Sequence, residues 1–526
     1  MFKCELNFLG HTGELHIMTR AVQGQKNAKS ISCRLSGITV AVLTGLFTSS
    51  AAFATNGYFS HGYSTKEKGL AGAGTAFSQD AMAAATNPAG MAFVGERMDL
   101  GLQLFMPTPR GYTVTGNPPV PGDGSFTVFA PPAAPDQPPT CNFPDPGGSG
   151  ACAPPFSVSP GSVESNNDWF LIPHFAYNWQ LNNDSSVGVS VYGNGGMNTE
   201  YSSGSAVLPN PNSSSPAAQL LPIEEQQGTY GAGMAGVNLA QLFVNVSFAK
   251  MIKPKHAIGG SLIIAGQRFM AYGLENFGQF SLDPNNLAGN RKSDSYGAGV
   301  KFGYQGEVSK GIRVGVSYQS KISMTEFDEY KGLFAEGGDF DIPSTYSIGA
   351  SFDVGTKGVI VADVQQINYS DVASISNPIT PLLDGSCANA LNTTIQNGFT
   401  PSPASGAGCL GGSAGAGFGW EDMTIFKIGY QMAINEKHTI RFGYSHADQP
   451  IPDSETLFNI LAPAVVQDHI TAGWTMNVGK NQEFNLAGMY APETSVKGAN
   501  PFDGGATQIE IEMAQWDIQA GWAWKY

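Results

Sequence analysis

The chain has 526 residues, of which 66 are Gly and only 13% are charged, and its formal net charge is −15. Such a negative charge argues against nucleic acid as a partner. No run of 18 or more apolar residues occurs outside the N-terminal region, so the sequence predicts no transmembrane helix. Many glycines and aromatic side chains with few charges favour an all-β protein instead, either a transmembrane barrel or a secreted β-structure.

Residues 1–54 have the features of a secretory signal peptide. Basic side chains precede a short apolar stretch over 35–47, and an Ala-Phe-Ala cleavage site follows at 52–54. We therefore expect this segment to export the protein and then to be removed. The sequence leaves open whether translation starts at Met1 or at Met18.

Residues 55–95 show no strand-like alternation. A Gly-rich run over 69–74 is followed by a helix predicted over 79–85, with Ser78 as its N-cap. Pro88 should end this helix, because the residue before a proline is pushed out of the helical region. The segment precedes the first strand, so it is either a periplasmic extension or a plug. We predict the plug, a hatch inside the barrel that contains short helices.

From residue 96 onward, apolar and polar side chains alternate with a period of two. In the last segment Trp516, Ile518 and Trp522 share one face, whereas Asp517 lies on the other. An uncovered face with several Trp is typical of a strand that faces lipid. The pattern predicts fourteen antiparallel transmembrane strands, over 96–106, 167–180, 184–201, 238–252, 257–272, 293–308, 311–327, 343–354, 357–369, 423–433, 438–447, 466–478, 482–491 and 512–525.

The connections between these strands alternate between short turns and long loops. The long ones include 107–166, 202–237 and 370–422, whereas the turns hold two to four residues such as Lys253-Pro254-Lys255-His256. Short periplasmic turns opposite long extracellular loops are typical of bacterial outer-membrane barrels. We therefore predict that residues 96–526 form a barrel in the outer membrane of a Gram-negative bacterium. We expect a monomer surrounded by outer-membrane lipid and lipopolysaccharide.

Four cysteines remain after the signal peptide, and they fall into two local pairs. Cys141 and Cys152 lie in one predicted loop, and Cys387 and Cys409 lie in another. In an exported protein the simplest interpretation is two disulfides within loops. The sequence contains no C-x-x-C motif, so we predict neither structural zinc nor any other metal site.

An enzymatic function has little support in the sequence. No G-x-S-x-G motif is present, since Gly443-Tyr444-Ser445-His446 lacks the second Gly. The Gly-rich run lacks the order of a dinucleotide-binding motif. We predict neither an enzyme nor a cofactor, and keep an outer-membrane lipid hydrolase as the less favoured alternative.

Several segments together resemble one family. Thr55-Asn56-Gly57-Tyr58-Phe59, the Gly-rich run and Asn87-Pro88-Ala89 resemble the hatch of the FadL long-chain fatty acid transporters. Phe442-Gly443-Tyr444-Ser445 leading into Pro450-Ile451-Pro452 resembles a late strand and loop of the same family. That family includes channels for toluene and xylene, and its barrel has the same number of strands.

The resemblance implies passive uptake of hydrophobic molecules, namely long-chain fatty acids or hydrocarbons. Family members capture the ligand at the surface and transfer it to a site in the lumen. The ligand then leaves sideways through a kink in the third strand. The alternative is a general porin or an adhesin-type barrel, which would have no need of residues 55–95.

The third predicted strand offers a candidate for that kink. Gly193-Asn194-Gly195-Gly196 interrupts the alternation, and three Gly in four residues favour a bulge or a gap. The alternative is that the strand simply ends at Tyr192.

The resemblance also implies candidate ligand-binding residues. Tyr58 and Phe59 belong to the N-terminal segment that lines the inner site, and they either touch the ligand or only anchor the hatch. Arg268, followed by Phe269, resembles the family's carboxylate-binding arginine, and a guanidinium suits a bidentate carboxylate contact. The alternative for Arg268 is an inward side chain paired with an acidic residue of the lumen.

Overall fold

A computed structural model describes residues 55–118, 156–209, 223–390, 393, 397 and 402–526. The predicted signal peptide, the Cys141–Cys152 pair and most of the Pro-rich loop between the first two strands lie outside these residues. None of the helices in the described part of the chain is both long enough and apolar enough to cross a membrane.

Fourteen antiparallel strands of the described residues form a closed barrel, as predicted. Each strand pairs with its neighbours in sequence, and the first pairs with the last in a register that sets Gly101 opposite Gly521. The strands are β1 Arg97–Met106, β2 Phe170–Asn182, β3 Ser185–Tyr201, β4 Ala235–Lys253, β5 His256–Tyr272, β6 Ser293–Ser309, β7 Ile312–Gln319, β8 Thr345–Val354, β9 Gly358–Ile367, β10 Met423–Ala433, β11 His438–Ala447, β12 Asp468–Val478, β13 Gln482–Ala499 and β14 Thr507–Lys525.

The alternation of side chains gives the barrel an apolar outer face. In β14 the Trp516 and Ile518 side chains are about half exposed on the outside, whereas Asp517 and Gln519 are buried inside. Trp516 stands near the long-loop end of the apolar face of β14, which the topology prediction makes extracellular. Trp524 stands near the opposite, short-turn end, which it makes periplasmic. Aromatic rings at both ends of an apolar band are typical of the two membrane interfaces.

Three strands differ from the prediction by five residues or more at one end. β7 ends at Gln319 rather than at residue 327, because the chain turns inward and buries Ile322 completely. β13 and β14 are longer than predicted and extend beyond the apolar band on the extracellular side. The predicted ends were wrong there because the outward residues, such as Glu510, are polar. The apolar–polar alternation therefore stops before the strand does.

Short extracellular strands that the sequence did not reveal cover this end of the barrel. Arg110–Gly116 pairs with β14 and with Gly161–Glu164. Ser157–Val158, Ser205–Pro209 and Ile223–Gln227 form a separate three-stranded sheet. In the long loop between β9 and β10, the predicted pair Cys387–Cys409 is disulfide-bonded.

The hatch contains two short α-helices, Thr65–Lys68 and Ala83–Thr86, and a 3₁₀ helix, Pro88–Phe93. The predicted start of the second helix, residue 79, is therefore wrong, because this helix begins at Ala83. Ser78 does not cap it, because its hydroxyl donates instead to Gln305 Oε1 of β6 at 2.8 Å. Asn87 is extended, as expected for the residue before Pro88.

Ion pairs hold the hatch against the inner wall of the barrel. Lys66 Nζ lies 2.6 Å from Glu483 Oε2, and Lys68 Nζ lies 2.9 Å from Asp517 Oδ2. On the opposite wall Asp363 Oδ2 accepts the backbone N–H groups of Gly74 and Thr75 at 2.8 and 2.9 Å. The inward charges of the strands thus meet partners on the hatch rather than open water, which offsets the cost of their burial.

Candidate functional site

An apolar chamber lies beneath the extracellular loops. It encloses about 510 Å³, counted with its open mouth. Its wall comes from β4, β5 and four separate loops, and contains Val237, Phe269, Leu274, Phe277, Leu287, Leu333, Phe334, Ser374, Leu410, Ala416, Gly417, Phe418, Phe458 and Leu461. Such a chamber binds apolar molecules by removing their surface from water.

Phe269, one of the predicted ligand-binding residues, lines this chamber. It points inward from β5, and its ring centroid lies 4.7 Å from that of Phe334 and 4.8 Å from that of Tyr330. This packing fixes the ring in place as part of the chamber wall.

Arg268 lies on the other face of β5. Its Nε donates to Asp294 Oδ1 of β6 at 2.6 Å, and both side chains are more than a third exposed on the outside of the barrel. Arg268, predicted to bind the ligand, therefore does not line the chamber. The alternative, an inward ion pair, is wrong because the pair with Asp294 lies on the outer face. Leu262 and Ile264 already indicate the phase of this strand, because they share the lipid-facing parity of Arg268.

Aromatic rings continue from the chamber towards the hatch. Ring centroids of Phe334 and Phe340 lie 4.8 Å apart, and Phe340 lies 6.3 Å from Tyr58. On a second route Trp420 lies 6.0 Å from both Phe418 and Tyr58. The sequence prediction missed this aromatic column, because its members come from loops far apart along the chain.

Tyr369 holds the start of the hatch at the base of the aromatic column. Its hydroxyl donates to the Asn56 carbonyl at 2.6 Å and accepts the backbone N–H of Tyr58 at 3.2 Å. A Cβ at Gly57 would lie 2.2 Å from this hydroxyl, and Gly57 has a φ of +61°, so the position requires glycine. Tyr58 and Phe59 are consequently buried, with their rings 5.1 Å apart.

The wall of the barrel is irregular at the predicted kink. The register between β3 and β4 shifts between Gly193 and Gly195, so that Asn194 is an extra residue. On the other side of β3, pairing with β2 stops at His174 and Tyr192. The next residue of β2 is Pro173, which has no N–H to donate to a ladder.

Above this point the described residues of β2 and β3 form no further ladder. A bridge returns only near the top, where the Asn166 N–H donates to the Glu200 carbonyl at 2.7 Å. The Asn167 side-chain amide also donates to Asn198 Oδ1 at 2.6 Å near the top. Between these limits no hydrogen bond joins the described residues of the two strands, and we call this region the wall opening (residues 168–173 and 193–197).

The hatch closes the wall opening from inside. The Ser60 N–H donates to the Asn194 carbonyl at 2.9 Å, and the Gly196 N–H donates to the Tyr58 carbonyl at 3.0 Å. A Cβ at Gly195 would lie only 2.0 Å from the Tyr58 carbonyl oxygen, so this approach needs glycine. Backbone groups that β2 leaves unpaired are therefore satisfied by the segment that carries Tyr58 and Phe59.

Sequence comparison gives the family directly. A family model described as "Outer membrane protein transport protein (OMPP1/FadL/TodX)" matches residues 225–512. The chain belongs to this family. No curated protein sequence matches the chain.

Solved structures with the same fold include two toluene transporters and a FadL homologue. The toluene transporter TodX of P. putida has a TM-score of 0.54 at 15% identity, and a FadL homologue of Pseudomonas aeruginosa has 0.56 at 14%. The Ralstonia pickettii toluene transporter TbuX has 0.50 at 15%. Each alignment covers 89% of this chain and 99% of the other.

In this FadL-family chain, Asn87-Pro88-Ala89 closes the periplasmic half of the hatch. The buried Asn87 amide donates to the Thr75 carbonyl at 2.7 Å and to the Tyr304 carbonyl of β6 at 2.9 Å. Its Oδ1 accepts the Ala89 N–H, so Asn87 caps the 3₁₀ helix that Pro88 begins. The motif therefore joins the hatch to the barrel wall, and none of its three residues lines the apolar chamber.

A row of amides crosses the wall beside the kink. The Asn194 Nδ2 donates to Gln241 Oε1 at 3.0 Å, and Gln241 Nε2 donates to Gln267 Oε1 at 3.0 Å. Gln267 Nε2 then donates to the carbonyl of Phe340 at 2.7 Å. The sequence prediction missed this row, because only the strand register brings these inward side chains together.

A second cavity, of about 490 Å³ with its open space included, lies between the hatch and strands β6 to β10, and it is polar. Its wall includes His61, Lys301, Asp363 and Lys427. The His61 ring stacks on His469 at 4.3 Å, and burial holds the pKa of His61 well below its ordinary value. A hydrophobic molecule would gain little from entering this region.

Proposed function

We propose that this FadL-family barrel takes up hydrophobic compounds by passive diffusion and releases them sideways through the wall opening. The ligand enters the apolar chamber, moves along the aromatic column to Tyr58 and Phe59, and leaves between β2 and β3. The observation that carries this proposal is the contact of Tyr58 and Ser60 with the kink, which brings the end of the apolar route to the break in the wall. The toluene transporters with the same fold support a hydrophobic cargo.

The level of the opening supports release into lipid. Leu171 in β2 is level with Leu104 in β1, which is level with Ile518 in β14. Trp516, which stands near the extracellular end of the apolar face, is two residues farther up. The opening therefore lies beside apolar residues of the neighbouring strands, close to the outer aromatic girdle.

Energetics favour this direction. A hydrophobic molecule that moves directly into lipid keeps its surface out of water, which is worth about 25 cal/mol per Å². The direct route downward crosses the polar cavity and the ion-paired hatch. Unpaired backbone in hydrocarbon is costly, and the hatch removes that cost while the opening is closed.

Deleting the single residue Asn194 tests the lateral route. The deletion removes the extra residue while Gly193 stays outward and Gly195 stays inward, so β3 can pair regularly with β4. Without the bulge β3 loses its bend, which should bring its upper part back beside β2 and close the opening. We expect a folded, heat-modifiable barrel that still binds p-xylene in detergent, with uptake by cells strongly reduced. Asn194→Ala keeps the chain length and serves as the matched control, with uptake close to normal. Normal uptake through a folded deletion variant would contradict the lateral route.

A further inference from the structure

The chamber wall is unusual in having no charge. Among its described residues only Ser374 carries a polar side chain, and the others are aliphatic, aromatic or Gly. The sequence ranges 119–155, 210–222 and 391–401 contain no Lys, Arg or His.

The cations nearest to the chamber along the chain have other partners. Arg268 pairs with Asp294 on the outer face of the barrel. Lys331, next to the wall-forming loop residues, pairs with Asp328 at 2.7 Å. None of these groups offers a charge to a ligand held inside the chamber.

Arg110 carries an inward guanidinium in the same half of the barrel as the chamber but does not line the chamber. Its Nη2 is engaged, whereas its buried Nε has no hydrogen-bond partner among the described residues. The side chain is buried, and its Nη2 donates to Ser165 Oγ at 3.2 Å and to the Asn167 carbonyl. These bonds hold the segment that bridges the top of the wall opening, so Arg110 serves the wall rather than the chamber.

An ionised carboxylate in this chamber would lose its water and gain no counter-charge. Such burial is so costly that the group takes up a proton instead. An isosteric neutral molecule has no such penalty.

From this we infer that the chamber selects uncharged hydrophobic molecules, hydrocarbons above all, and rejects their carboxylates. The inference rests on the proposed function and narrows its substrate class. A carboxyl group with an ordinary pKa of about 4.3 should bind roughly a thousandfold more weakly than its neutral isostere near pH 7.5. That gap should shrink about tenfold for each pH unit below this value, because protonation restores the neutral form.

The matched probes are p-xylene and p-toluate, which differ by a methyl and a carboxylate. Calorimetric titration of the detergent-solubilised full chain should detect p-xylene with a pH-independent affinity. The affinity for p-toluate should rise as the pH falls. Equal, pH-independent binding of both probes would overturn the selectivity while leaving the proposed function intact. If neither p-xylene nor p-toluate binds at any pH, the chamber is not a ligand site, and the proposed function fails with it.

A substitution that supplies the missing cation gives an independent readout. Leu333 is a partly buried wall residue, so a lysine there can reach the interior from the rim. Leu333→Lys should raise p-toluate affinity at least tenfold and lower that of p-xylene, whereas the control Leu333→Met should change neither by more than about twofold. If Leu333→Lys folds, binds p-xylene and still shows no gain for p-toluate, the lack of a cation is not what excludes carboxylates.

Discussion

Single residues decide how the hatch is held. Lys68 and Asp517 are completely buried and lie 2.9 Å apart, and Gln103 Nε2 donates to the same carboxylate oxygen at 3.0 Å. Burying such a pair costs desolvation that its mutual attraction roughly offsets, whereas removing one partner leaves an isolated buried charge. Removing one partner should therefore destabilise the protein more than removing both.

A double-mutant comparison tests this pair. Lys68→Met should lower the free energy of unfolding by about 3–5 kcal/mol, because Asp517 is then buried without its partner. Lys68→Met combined with Asp517→Asn should recover much of that loss. Urea unfolding of the protein in lipid vesicles measures both variants. A double variant less stable than the single one would show that the charge itself is not the cause.

Among the elements, the strands were easier to predict than the hatch. Alternation alone located all fourteen strands, since lipid on one side and a packed lumen on the other impose a period of two. The hatch helices hold only four residues each, and their ends are set by contacts with the barrel, as with Ser78 and Gln305. No local pattern along the chain encodes such contacts.

Deleting residues 55–85 tests the hatch as an element. The strands pair only with one another along most of their length, so the barrel should still fold. The emptied lumen should conduct ions, because inward groups such as Glu483 and Arg97 would then face water. We expect large, steady conductance in planar bilayers, against little for the full chain. If conductance did not change, the segment would not be what closes the lumen.

At the scale of the whole molecule, the sequence predicted the architecture but only part of the site. The kink was visible as a cluster of Gly, and Phe269, named by resemblance as a ligand-binding candidate, lines the chamber. The aromatic column was not predictable, because Phe340, Tyr369 and Trp420 come from loops with no periodicity. The direction of Arg268 was predictable from the parity of its strand, yet the resemblance outweighed that signal.

The topology makes one further prediction, because every short turn must lie on the periplasmic side. Lys255 lies in the turn between β4 and β5 with its side chain 65% exposed, and Met234 lies in the long loop before β4 with its side chain 49% exposed. In a background without other cysteines, Met234→Cys should react with a membrane-impermeant maleimide on intact cells. Lys255→Cys should react only after the outer membrane is breached, since its turn is periplasmic. If Lys255→Cys were labelled on intact cells, the barrel would have the opposite orientation to the one predicted. The chamber would then lie on the wrong side of the membrane for uptake.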